Sequence, residues 1–362
     1  MAQIIIVILY FAILFAIGIA ASKKVSSLKD YYVGGKKLGF WVVAFSSRAT
    51  GESAWLLLGL TGMGAVMGLQ AFWVMVGEVL GVAVAWLFMA KPFKKLTDKY
   101  DSITIPDYLE SHFKSTGKAL RIIAAGALAV FVTIYVSAQI DATGKAFENF
   151  LEWNYFTGVF VGFAIVVIYI WFGGFVAVAW SDLFQGMMML FALIGLPLVA
   201  YFSIDSGNEI VSGLRDIDPA LMSLWGSGGF STMSLLTAIG LVAIGIGFMG
   251  SPQVFVRFMS IKNEGEINKG RWVAIIYTIL VNGAAIAIGM LGRYIFTGNG
   301  DPVSVLGSGG EDVLPKLVKE QLPLLLVGVY IAAVLSAIMS TVDSLLVSAS
   351  SAVTRDLYQK VL

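Results

Sequence analysis

Four small residues near the end of the chain, Ala337, Ser340, Thr341 and Ser344, fall at i, i+3, i+4 and i+7 of an apolar stretch, YIAAVLSAIMSTVDSLLVSASSAV at 330–353. That spacing puts them on one helical face with their hydroxyl oxygens pointing the same way. In hydrocarbon such oxygens need partners. Two neutral hydroxyls one helical step apart, beside freed backbone carbonyls, replace the water shell of a small hard cation, for which oxygen is the preferred ligand. The same pattern also serves close helix packing or bonds back to the helix's own carbonyls, so the rest of the chain has to decide between these uses.

Composition sets the frame. Of the 362 residues 58% are hydrophobic and 13% charged, which excludes an ordinary soluble globule and defines an all-α integral membrane protein. A net charge of +1 leaves no electrostatic footprint for nucleic acid, and the single His112 leaves no imidazole cluster for a metal. Cysteine is absent, which rules out disulfides, thiol nucleophiles and cysteine-ligated zinc. No G-x-x-x-x-G-K-[ST] loop occurs, so an ATP-driven pump is excluded, and no triad or metal-ligand spacing points to an enzyme.

Apolar runs of about 20 residues, the length that crosses a hydrocarbon core about 30 Å thick, number nine. They cover residues 3–22, 40–65, 69–90, 119–144, 156–173, 175–203, 232–256, 271–297 and 322–351. The runs are continuous rather than alternating, which excludes a membrane β-barrel. The first run lacks the basic leader and cleavage site of a signal peptide and is expected to stay as a helix. Lysine and arginine concentrate in 23–39, 91–118 and 257–271, which makes those loops cytoplasmic and the N-terminus external. The loops 204–231 and 299–318 then lie outside, and TIPDYLESHFKST after the third run reads as a short cytoplasmic helix opened by Thr104 or Ile105 before Pro106.

Two runs are interrupted. SSRATGESAWLLLGLTGMGAVMG puts Arg48, Thr50, Gly51, Glu52 and Ser53 at membrane depth, and GLVAIGIGFMGSPQVFVRF puts Gly245, Gly247, Gly250, Ser251 and Pro252 in mid-span. Proline removes a backbone donor and loosens the helix one turn earlier. Broken spans at matching places in two halves point to an inverted repeat with its ligand site at the breaks.

At these residues the chain resembles the sodium:solute symporter family, and within it the sodium/proline branch. The resemblance is carried by RATGESAWLLLGLTG, YVSAQIDATGKAF, YIWFGGFVAVAWSDLFQG, GFMGSPQVFVRFM and AAVLSAIMSTVDSLL, spread over nearly the whole length. It implies a leucine-transporter-type inverted-repeat fold in one transmembrane domain over 1–362. An extra helix, 3–22, would precede a first five-helix repeat, 40–203, and part of a second, 232–351. The family pattern runs on for two more core helices, so the chain is expected to be a fragment or the product of a truncated gene.

The resemblance also implies a sodium (Na+) site made by the carbonyls of Ala49, Glu52 and Ala337 and the hydroxyls of Ser340 and Thr341, in agreement with the hydroxyl line. A second cation site, found in some members, would fall on Asp182, Asp343 and Ser344 with Ser340. The solute would lie between the breaks, near Ser53, Ala54, Trp55, Tyr135, Gln139, Ile244 and Phe248. Three positions depart from the proline carriers: Gly51 stands where they have Asp, and Ile244 and Phe248 where they have Trp and Tyr.

Ionisable groups at membrane depth each need an account. Arg48 and Glu52, at i and i+4, are expected to neutralise each other. Glu78 has no local partner and is expected to bond broken-helix backbone. Asp182 either ligates a cation or caps a neighbouring helix. Arg257 and Arg293, near helix ends, are expected to snorkel to the interface.

The expected function is a sodium-coupled secondary active symporter of the cell membrane, importing a small organic solute such as proline, another amino acid or a related carboxylate by alternating access. The alternative is a transporter-like input module of a membrane sensor kinase. Its partners are the lipid bilayer and the solute, and no feature specifies an oligomeric state.

Overall fold

The computed structural model describes residues 2–115, 117–204, 207–298 and 300–361. Residues 116, 205, 206 and 299, in the three predicted loops 91–118, 204–231 and 299–318, lie outside the described residues. The bundle is built around the helix Leu324–Ser351. In its most apolar stretch 83% of the residues are buried, against 22–56% in the other long apolar helices. A helix buried on all sides needs small or apolar residues all round, which the alternation of Ala, Ser, Val and Leu here supplies.

Among the described residues every regular element is helical, apart from one isolated bridge between Leu38 and Ile261. Seven helical runs are long and apolar enough to cross a membrane: Ala2–Ser22, Phe40–Lys99, Ala119–Leu151, Tyr155–Phe202, Thr232–Gly250, Glu264–Thr297 and Leu324–Gln359. Two of them contain a glycine with positive φ, Gly68 (φ 58°, ψ −131°) and Gly174 (φ 50°, ψ −144°). Those conformations are open to glycine and closed to most side chains. They fall where the hydropathy pattern separates 40–65 from 69–90 and 156–173 from 175–203.

Both interrupted spans are interrupted in the structure. In Phe40–Trp55 the break is at Ser53, a non-glycine residue held at φ 55°, ψ −175°. The other span runs from Thr232 to Ile246, tightens over Gly247–Gly250, turns extended at Ser251 (φ −72°, ψ 109°) and restarts as Pro252–Ser260. Pro252 sits at the first position of the new helix, where its missing N–H costs nothing. The short helix Ile105–His112 forms as expected, with the Thr104 hydroxyl accepting from the Asp107 N–H at 3.1 Å.

Small residues bring these elements together. Along Phe72–Val84, Gly77 and Gly81 face Val242 and Gly245 of the second broken span so closely that their backbones touch. A Cβ on Gly245 would overlap the backbone of Gly77 and Glu78, whereas one on Gly240, in the same helix, would meet open space. Gly245→Ala is therefore expected to destabilise by about 1–3 kcal/mol through overpacking. Gly240→Ala is expected to be neutral or slightly stabilising, as alanine is the better helix former. Melting of both purified variants in detergent checks this, and equal midpoints would contradict the packing.

At one end of the bundle a charged cluster closes the structure. Arg121 pairs with Asp107 and Asp356 at 2.6 Å each and with Glu110, tying the Ile105–His112 helix to the end of the central helix. Arginine beside it holds the Glu110 carboxyl below the usual carboxylate range.

Candidate cation and solute site

The break at Ser53 lies against the hydroxyl face of the central helix. The Ser340 hydroxyl reaches the carbonyl of Ala49 at 3.0 Å, and the Thr341 hydroxyl reaches the carbonyl of Thr50 at 3.2 Å. Both also lie near the carbonyl of Ala337, at 3.2 and 3.1 Å. The structure thus brings Ala49, Ala337, Ser340 and Thr341 together, adds the Thr50 carbonyl, and buries all of them completely. Glu52 stands one turn further along: its carbonyl accepts from the Leu56 N–H and its side chain pairs with Arg48. Two hydroxyls and three carbonyls thus meet in one buried group of neutral oxygens, the ligand type that hard cations take.

A second cluster adjoins the first through Thr50. Its residues are Asp182, Asp343 and Ser344, as named from the sequence, together with Arg257, which belongs to the restarted helix Pro252–Ser260. Arg257 Nη2 donates to Asp182 Oδ2 and to Thr50 Oγ1, each at 2.7 Å, and to the Ser344 hydroxyl. Its Nε donates to Ser46 at 2.9 Å and its Nη1 to the Gln253 carbonyl at 2.9 Å. The guanidinium also lies 5.2 Å from the ring centre of Phe175. Snorkelling is excluded for this residue, which is 1% exposed. Arg293, at 8%, is buried as well. Asp343 turns the other way, accepting from Tyr169 at 2.6 Å and Ser181 at 3.4 Å on Oδ2 and from Ser344 at 3.0 Å on Oδ1.

A third buried group lies around Arg48. It pairs with Glu52, lies 3.6 Å from Glu78, and stacks 4.6 Å from the ring centre of Phe248. Glu78 therefore does have partners: besides Arg48 it accepts from Asn282 Nδ2 at 2.8 Å. Asn282 lies 204 positions away in the chain and gave no local signal.

A cavity of about 560 Å³ opens at the first break. It is lined by Ser53, Ala54, Trp55, Tyr135, Gln139 and Ile244, six of the seven residues named for the solute, and by the charged Asp141, Lys145 and Glu311. Gln139 ties that wall to the break, its Oε1 accepting at 3.1 Å from the Ala54 N–H freed there. Phe248, the seventh, is not on its wall. Its ring fills the space a side chain at position 51 would need, so Gly51 and Phe248 are one packing solution rather than two separate departures. Tyr135 also borders a larger, mostly apolar cavity of about 870 Å³ lined by Pro92, Phe93, Tyr108, Ser251, Pro252 and Gln253 among others.

A helical membrane bundle with two broken spans, a neutral oxygen cluster at one break and a cavity beside it, has the architecture of a secondary transporter. Residues 31–362 match the model of the Sodium:solute symporter family, and the chain belongs to that family. It is 35% identical over 350 residues to the high-affinity proline transporter PutP of Bacillus subtilis, covering 95% of this chain and 71% of the relative. It is 30% identical over 347 residues to the sodium/proline symporter of Escherichia coli, covering 96% and 68%. Its fold is shared with a Na+-coupled sialic acid symporter solved in a substrate-bound outward-open state, at a TM-score of 0.84 and 20% identity, covering all of this chain and 76% of that one. These relatives are transporters, not enzymes, and the chain is a multi-pass membrane protein of the same kind.

Proposed function

We propose that the protein is a sodium-coupled symporter that imports a small amino acid or related carboxylate by alternating access. The observation that carries this reading is the meeting of the Ser340 and Thr341 hydroxyls with the Ala49 and Thr50 carbonyls at the first break. Sodium would sit there between the first broken span and the central helix, held also by Ala337 and, after a small turn of the backbone, by the Glu52 carbonyl. A neutral oxygen set binds an ion without titrating, which favours sodium over a proton as the coupling ion.

In this reading the long helices Phe40–Lys99 and Tyr155–Phe202 each cross twice, reversing at Gly68 and Gly174, so that the seven runs make nine spans. At 1.5 Å per residue a 48-residue helix would be about twice as long as the membrane is thick. The N-terminus lies outside and the basic loops 23–39, 91–118 and 257–271 inside. The smaller cavity then faces outward and the larger one inward, with Tyr135 between them. Residues 40–203 form the first repeat and 232–351 part of the second.

The physical logic is linkage. Sodium bound across the break stabilises the arrangement in which Ser53, Ala54 and Gln139 form one wall of the solute cavity, so each ligand raises affinity for the other. Inward movement of the ion's charge also draws on the membrane potential, about 2.3 kcal/mol per charge per 100 mV. The sensor-module alternative draws no support from the relatives named above.

The test is solute binding to the purified protein with and without sodium, scanning proline, other amino acids and small carboxylates. Binding of one of these only in sodium is the expected result. Sodium-indifferent binding of every solute that binds would overturn the coupling.

A further inference from the structure

The cluster around Asp182 does not fit a free metal ion. We infer that the Arg257 guanidinium is a tethered cation occupying the second cation position, so that each transport cycle takes up a single sodium ion, at the Ser340–Thr341 cluster. This rests on the symporter reading above and specifies its stoichiometry.

Three observations carry it. First, one nitrogen, Nη2, lies within hydrogen-bond distance of Asp182 Oδ2, Thr50 and Ser344, three of the oxygens a second ion would need, while Asp182 Oδ1 has no partner. Second, the position is built rather than incidental. Arg257 is buried, its Nε and Nη1 donate to Ser46 and to the Gln253 carbonyl, and the Phe175 ring flanks it, so every nitrogen of the guanidinium is engaged where it lies. Third, the remaining acid of the cluster, Asp343, has a close donor of its own in the Tyr169 hydroxyl at 2.6 Å.

Electrostatics then separates the two positions. A sodium ion at Asp182 would lie about 4 Å from the guanidinium, and at an effective dielectric of about 20 that repulsion weakens binding on the order of 10³-fold. The Ser340 and Thr341 hydroxyls and the carbonyls they meet make no bond to Arg257, which reaches that cluster only through the Thr50 hydroxyl. Arginine suits the tethered role because its planar fork holds several oxygens at once. Since it arrives on the helix that restarts after the second break, it also joins that helix to the central helix without consuming an ion.

The experiment counts sodium. Equilibrium binding of radioactive sodium to the purified protein, with its saturating solute, is expected to give one ion per chain and a hyperbolic sodium dependence. Arg257→Gln frees Asp182 and Ser344, and the count is expected to double with a sigmoidal dependence. Arg257→Lys, which keeps the charge, and the double variant Arg257→Gln/Asp182→Asn, which removes the acid as well, are expected to stay at one. Two ions in the unmodified protein, or one ion in a solute-binding Arg257→Gln, would overturn the assignment. Should Arg257→Gln not fold, the count in the unmodified protein and in Arg257→Lys decides: one in each supports the assignment, two in either overturns it. A protein that binds solute but no sodium removes the symport reading instead, and the tethered-cation assignment then stands only if Arg257→Gln acquires an ion.

Discussion

Replacing Ser340 by Ala and Thr341 by Val together is expected to lower sodium affinity on the order of 10²–10⁴-fold while leaving the fold intact. Each substitution removes a hydroxyl oxygen from the cluster, and a bond between a polar group and a charge contributes about 1.5–3 kcal/mol in such a setting. The backbone carbonyls of Ala49, Thr50 and Ala337 remain, which is why the loss is steep rather than complete. Stability should fall by about 1–3 kcal/mol: alanine is the best helix former and valine nearly matches threonine in size, but the Thr50 carbonyl, whose i+4 donor Ala54 turns to Gln139, loses its hydroxyl partner. Because binding is reciprocal, solute affinity measured at fixed low sodium should fall as well, whereas at saturating sodium it should recover. That recovery separates loss of an ion site from damage to the solute cavity, whose lining residues are different. Unchanged sodium dependence in a folded double variant would reduce the hydroxyl face to a packing surface.

The hydroxyl face was legible because its information is local: four residues within eight positions, and a helical period to align them. The breaks were legible for the same reason, since Gly, Ser and Pro in an apolar run mark backbone that cannot continue as a plain helix. Arg257 was not. Its neighbours in sequence are a helix end and a basic loop, so the position reads as an interfacial one, and the partners that make it central, Ser46, Thr50, Asp182 and Ser344, are 75–211 positions away. Glu78 is the same case in miniature, with Asn282 and Arg48 supplied by other helices. Charge burial in a bundle is decided by which helices meet, and residue spacing along one helix carries no trace of that. A general rule still pointed the right way: an ionisable group at membrane depth must have a partner, so an acid without one in its own helix calls for a base in another. Pairing Asp182 with the nearest unassigned arginine in the second broken span would have found the cluster.

The same reasoning makes Arg48 the residue whose loss should cost the most stability. It is fully buried, and it is shared by two acids, Glu52 and Glu78, that are 1% and 7% exposed. Arg48→Met keeps much of the volume and the contact with the Phe248 ring but leaves two carboxylates facing each other in a dry interior. Breaking a buried pair by removing one partner costs about 3–5 kcal/mol, and here the like charges add to that. Glu52→Gln alone should be mild, because the guanidinium retains Glu78 and the amide still accepts from it. The informative variant is Arg48→Met with Glu52→Gln. It leaves one acid, Glu78, still accepting from Asn282 at 2.8 Å, so a large part of the lost stability should return. Thermal unfolding in detergent is thus expected to rank the proteins as unmodified, Glu52→Gln, the double variant, and Arg48→Met last. If the double variant is no more stable than Arg48→Met, the acids are not what Arg48 compensates, and its place against Phe248 would have to account for its burial. Should the order hold, the group is an ion pair built to keep charge at the first break without exposing it to the solute cavity, which leaves the neutral oxygens beside it free to select an ion by coordination rather than by net charge.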